Sequence, residues 1–350
     1  MNRKGVSYDV GRVMGGNWRP AFDLKIIDRE LEIIKNDLHC NAVRICGLDI
    51  DRLRKASEAA LKQGLEVWLS PEMWNKSQAR TFNYIVNAAA AAEKLRREWP
   101  EQLVLSVGSE LTLFMKGIVP GNTFMKRLRN PSLRETIKAG EHNKPLNAFL
   151  ARASEGVRHV FHGQVTYASL LWEAVDWGLF DFVGVDHFRD ARIKDRYVEM
   201  LKPLFAYGKP VIITEFGSSA LVGFQSSGAM GSGIVDVVDH KTLFLHRIPL
   251  LGRFVRPRLN SEYVRDEAFQ ARELIETLSL LDAAGVDGAF VFTFVFPIYT
   301  YASDPRYDLD MASTSLVKSY ADAKHGTTYP DMPWEPKESF RAVAEYYAAH

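Results

Sequence analysis

Two glutamates carry the chemistry that this sequence suggests first. Glu110 follows the apolar run Leu103-Val104-Leu105-Ser106-Val107-Gly108-Ser109, and Glu215 follows Val211-Ile212-Ile213-Thr214. Two carboxyls facing one bond is what glycoside hydrolysis requires. One keeps its proton and gives it to the leaving oxygen. The other stays ionised to attack or to direct water. Arg44 ends another apolar run and is placed to hold the ionised member by charge and hydrogen bonds. A single glutamate after a strand more often serves a salt bridge. The pair shifts the reading toward catalysis.

Further candidates stand after similar runs: Tyr8-Asp9, Glu72-Met73-Trp74-Asn75, Trp172-Glu173, Asp186-His187-Phe188 and Phe292-Thr293-Phe294. Asp9, Glu72, Ser109 and His187 are expected to bind substrate, together with Arg44. Trp74, Trp172 and Phe294 are candidate platforms for the apolar face of a sugar, although packing under loops would explain such rings as well. His187 reads equally as a hydrogen-bonded core residue. Adjacent Asp186 and His187 would point to opposite faces of a regular strand. His240 and His246 lie six apart, which fits no regular ligand spacing. No metal and no other cofactor is expected. Cys40 and Cys46 are too few for a disulfide framework, and Cys46 lacks the histidine pattern of a nucleophile.

Eight short runs rich in Val, Ile and Phe must position these groups: 5–8, 42–46, 65–70, 103–107, 164–168, 182–187, 210–214 and 288–293. Many are apolar throughout, as strands covered on both faces are. Between them lie helical periodicities, such as Leu24, Ile27, Leu31, Ile34 and Leu38 on one face. Asp49 and Asp51 suit the start of a helix over about 50–63, and a short helix is expected near 170–177. The strand starts average about 40 residues apart, close to the repeat of an α/β barrel. The fold class expected is α/β: a single (β/α)8 TIM barrel over residues 1–350. An open doubly wound sheet is disfavoured, because Gly15-Gly16 comes late and lacks the dinucleotide spacing. Two connections are long, about 111–144 after the fourth strand and 217–263 after the seventh. The first is basic, with Lys116, Lys126, Arg127, Arg129, Arg134 and Lys138, and reads as a solvated surface or as a wall over the site. The second holds Gly217, Gly223, Gly228, Gly231 and Gly233 among serines.

Four stretches carry a family resemblance: Asn41-Ala42-Val43-Arg44-Ile45, Val107-Gly108-Ser109-Glu110, Asp181 to Phe188, and Ile212-Ile213-Thr214-Glu215-Phe216-Gly217. The sequence resembles glycoside hydrolase clan A, barrel glycosidases of retaining mechanism, and its opening Lys4-Gly5-Val6-Ser7-Tyr8-Asp9-Val10-Gly11 resembles a divergent subgroup sometimes labelled abortive phage infection proteins. The resemblance implies Glu110 as acid/base, Glu215 as nucleophile and Arg44 as its partner. It also implies an asparagine before the acid/base, reaching the sugar 2-hydroxyl, where this chain has Ser109. His187 stands where a tyrosine is usual, and Phe292 or Phe294 where a tryptophan is. Asn75, Asn17 and His187 are candidates to bridge the gap left by the shorter Ser109. Ordinary β-glucosides and β-galactosides are then expected to be poor substrates.

The 350 residues hold 44 Lys+Arg against 43 Asp+Glu, so a nucleic-acid or anionic-membrane partner is not expected. The most apolar window, 288–302, is too short to span a bilayer, and the N-terminus lacks a signal-peptide core. A cytoplasmic enzyme acting on a short oligosaccharide or small glycoside is the expectation. The alternative is a weakly active or inactive barrel serving carbohydrate binding or phage defence.

Overall fold

A computed structural model describes residues 1–13, 16–221, 237–321 and 325–350. Gly15, Gly223, Gly228, Gly231 and Gly233 lie outside these residues. Eight parallel strands close in chain order: β1 Arg3–Asp9, β2 Ala42–Gly47, β3 Glu66–Pro71, β4 Leu103–Ser109, β5 Gln164–Leu170, β6 Val183–Asp186, β7 Val211–Phe216 and β8 Gly288–Val291. β1 pairs with both β2 and β8, which completes the barrel. The strands are buried on both faces, which is why their sequences are apolar almost throughout.

Helices cover the outside. Leu24–Asn36 buries Ile27, Leu31 and Ile34, the stripe read from its spacing, and Asp23 caps it by accepting from the Lys25 N–H. Asp49 caps Ile50–Lys62 by accepting from the Asp51 and Arg52 N–H groups. Such caps contribute about 1 kcal/mol each. The N-terminal end of the barrel is plugged by Ala42, Trp68, Val104, Phe182, Ile212 and Phe290. Gly5 makes room there, since a Cβ would lie 2.4 Å from the Phe290 ring.

Two expectations need correction. The connection from β5 to β6 carries no helix over 170–177, only the 3-10 turn Trp177–Leu179. A third long connection follows β8. It forms a small sheet of β9 Thr300–Tyr301, β10 Val317–Tyr320 and β11 Trp334–Pro336 before the last helix, Glu338–Ala349. No helix among the described residues is long and apolar enough to cross a membrane.

Candidate active site

A cavity of about 560 Å³ opens at the C-terminal end of the strands, and Glu110 and Glu215 both line it. Their surroundings differ. Glu215 is the penultimate residue of β7 and is buried. Its Oε1 accepts from Arg12 Nη2 at 2.7 Å and from Arg44 Nη1. Burial alone would push its pKa up, but the two guanidiniums outweigh it and hold the carboxyl below its ordinary range. Glu110 has the opposite setting. Burial, then the negative charges of Asp186 and Glu215, drive its pKa well up. Among the described residues its carboxyl has no hydrogen-bond partner.

The backbone explains the reach of Glu110. Gly108 has φ +131°, a region that strains other residues, and Glu110 itself is left-handed at φ 44°. The register between β4 and β5 shifts between Ser106 and Ser109. A left-handed non-glycine residue costs about 1–2 kcal/mol and is held by its surroundings, a pattern common at functional sites. Here the turn swings the carboxyl off the strand end into the cavity, while the Glu110 N–H still donates to the Ala168 carbonyl at 2.8 Å.

Glu72 also lines the cavity. Its Oε1 accepts from Arg12 at 2.7 Å and from Arg44 at 3.4 Å, so the two arginines bridge Glu72 and Glu215. Ser70 accepts from Arg44 at 3.0 Å and fixes the plane of its guanidinium. Glu72 Oε2 and Trp74 Nε1 are buried without hydrogen-bond partners among the described residues. They offer one acceptor and one donor beside the cavity. Trp172 lines it too, half-buried and edge-on to His142. The Trp74 ring is stacked on Phe114 at 3.9 Å, so one of its faces is already covered.

Several sequence candidates do other work. Asp9 is absent from the cavity wall. Its Oδ1 accepts from the N–H groups of Gly11 and Arg12, so it aims Arg12 rather than meeting substrate. Phe294 is fully buried against Tyr8, Trp334 and Phe340 and cannot act as a sugar platform. Phe292 lies nearer, with the Arg12 guanidinium 5.1 Å from its ring centre. Ser109 Oγ donates to Asp186 Oδ2 at 3.2 Å, so its hydroxyl is already engaged. Asn75 Oδ1 accepts from Phe124 N–H and Arg127, and Asn17 Oδ1 from Arg19 N–H, so neither amide bridges to substrate beyond Ser109. His187 borders the cavity, but its ring stacks on Tyr197 at 4.0 Å and Nε2 meets the Tyr197 carbonyl at 2.9 Å. Burial pushes its pKa down to about 4, which keeps it neutral.

Sequence reasoning missed Arg12, and it set Asp186 against His187 by the rule of alternating faces, although both border the cavity. Asp186 and His187 both border the cavity because β6 loses regular pairing with β7 between Val185 and Asp186. The rule of alternating faces holds only for a regular strand. The walls also include Phe124, Leu128, Arg129, Leu133 and Ile137 from the connection after β4. That segment therefore builds a wall as well as presenting a surface. Cys40 and Cys46 are free and buried, and burial pushes the Cys46 thiol up to about 12. Among the described residues no His, Cys, Asp and Glu side chains group to hold a metal ion.

Comparison with solved structures places this architecture. A GH113 β-1,4-mannanase matches over 100% of this chain and 99% of its own, with a TM-score of 0.59 at 14% identity. A GH113 β-mannanase from Alicyclobacillus acidocaldarius matches with a TM-score of 0.59 at 15% identity, over 99% and 97% of the two chains. A β-glucuronidase from Parabacteroides merdae matches over 99% of this chain but 36% of its own, with a TM-score of 0.58 at 12% identity. The chain shares the TIM-barrel fold of these proteins. No family model and no curated protein matches it by sequence.

Proposed function

We propose that this protein is a retaining glycoside hydrolase, a single catalytic barrel acting in the cytoplasm on a short oligosaccharide or small glycoside. The observation that carries the reading is the opposite setting of two carboxyls in one cavity. Glu215 is held ionised by Arg12 and Arg44, while Glu110 is unpaired and held protonated. That division of labour is what a glycosidase needs. Trp172, together with the open donor on Trp74 and acceptor on Glu72, suits a ring with one apolar face and a polar rim.

In the first step Glu215 attacks the anomeric carbon as the glycosidic bond breaks. Glu110 gives its proton to the leaving oxygen. In the second step Glu110 takes a proton from water, the water oxygen attacks the anomeric carbon, and the bond to Glu215 breaks. The shared fold with mannanases and a glucuronidase supports the class of reaction without naming the sugar.

Glu215→Ala should abolish turnover of 4-nitrophenyl glycosides, and azide should restore a glycosyl azide of inverted anomer. Glu110→Ala should harm substrates with poor leaving groups far more than activated aryl glycosides, which need little protonation. Equal loss on both substrate types contradicts the assignment. Proton NMR of the first sugar released tests retention directly, and an inverted product overturns it.

A further inference from the structure

The cavity holds a third carboxyl that the two-carboxylate scheme leaves without a task. Asp186 is 5% exposed, ends β6 and borders the same cavity as Glu110 and Glu215. Its Oδ1 accepts from Thr214 Oγ1 at 2.6 Å and its Oδ2 from Ser109 Oγ at 3.2 Å. Among the described residues it has no ion-pair partner. A carboxyl can take about four hydrogen bonds, so capacity remains on both oxygens. Arg44 acts on it only through space, and burying a carboxyl with no directly paired cation is costly.

We propose that Asp186 is the specificity-determining residue of the site and binds the hydroxyl on the carbon next to the anomeric centre. The inference rests on the glycosidase reading above. Asp186 acts on both members of the pair. It stands opposite Glu215 in the strand register and holds Ser109, the neighbour of Glu110, and its charge bears on both glutamates. A group that close to both lies beside the reacting carbon. That carbon has two ring neighbours, the ring oxygen and C2, and only C2 carries a hydroxyl. The Ser109 hydroxyl is spent on Asp186 Oδ2, and it fixes the orientation of that carboxyl. Burial and the charge of Glu215 raise the Asp186 pKa to about 8, against the pull of Arg44, so its charge is full on the alkaline side where Glu110 loses its proton. Hydrogen bonds at this hydroxyl strengthen as the ring flattens in the transition state. The substrate class implied is a glycoside with a free hydroxyl at C2, read for its configuration.

The test uses the 4-nitrophenyl glycoside that the wild-type protein turns over best, its C2 epimer, and the shared 2-deoxy analogue. The wild type should prefer one epimer and lose activity on the 2-deoxy compound. In Asp186→Asn the preference over the 2-deoxy analogue should shrink about 10- to 100-fold, the size of one hydrogen bond to a charged group. Ser109→Ala should shrink it less, in the same direction. The alkaline limb of kcat/KM in Asp186→Asn should move to lower pH, because the like charge that lifts Glu110 is gone. Equal loss on all three substrates, complete loss included, or an unmoved limb overturns the proposal and leaves the glycosidase reading standing. A wild-type protein inert on every aryl glycoside overturns both.

Discussion

Arg12 governs the charge on Glu215 at least as much as Arg44 does. Both guanidiniums meet the same carboxylate oxygen, and both are buried. Removing a cation this close moves a carboxyl pKa by about 1–3 units. Arg12→Met should therefore raise the Glu215 pKa. The nucleophile must be ionised, so the acid limb of kcat/KM should move up by at least about one pH unit. Activity should fall more at pH 5 than at pH 7. An unmoved acid limb would leave Arg44 as the sole partner. Arg12 was hard to read because it lies three residues past a strand end with no spacing of its own. A signal does exist in Asp9. An aspartate at a strand end accepts from N–H groups two and three residues on, and that turn folds the following side chain back over the barrel mouth. Glu215 and Arg44 were legible because they lie on barrel strands, Glu215 next to the end of β7 and Arg44 within β2, where side-chain direction follows from the barrel itself.

At the scale of elements, the strands were legible to within a few residues because both of their faces are buried. The wall after β4 was not. Its apolar residues Phe124, Leu128, Leu133 and Ile137 fall on two short helices, Phe124–Leu128 and Leu133–Ala139, broken by Pro131. No single helical period joins them, and the basic residues between them dominate the reading. What holds this wall is Arg127. It is buried, faces no carboxylate, and burial lowers its pKa to about 10. It donates to the carbonyls of Leu113, Phe114 and Gly121 and to Asn75 Oδ1. A lysine cannot reproduce that fan of donors. Arg127→Met leaves several buried acceptors unpaired and should cost roughly 2–4 kcal/mol of stability, read from urea unfolding. Because the wall lines the outer cavity, KM for an oligosaccharide should rise more than KM for a small aryl glycoside. Equal change in both would mean that the wall does not touch substrate.

For the whole molecule, the last question is what keeps the long extension after β8 on the barrel, since it was invisible as a unit in the sequence. Its strands are only two to four residues long, too short to show alternation. Charge supplies the answer. Arg265, just before the helix Glu267–Ala283, meets Asp308 and Asp310 at 2.8 Å. Lys337, just before the last helix, meets the same Asp310 at 2.9 Å with both side chains fully buried. Lys318 on β10 reaches Glu267 at 3.1 Å. One network thus joins the extension to the two helices that close the barrel. Removing one partner of a buried ion pair leaves an uncompensated charge and costs about 3–5 kcal/mol. Arg265 still meets Asp310, so Lys337→Met should destabilise the protein by up to about that much in urea unfolding, with kcat unchanged below the transition, since Lys337 is no part of the cavity wall. Adding Asp310→Asn should recover part of the loss, because the surplus negative charge goes with it and Arg265 keeps Asp308. Recovery identifies the charge pair as the fastening. An undiminished loss in the double variant would assign the fastening to the packed methylenes of Lys337 instead.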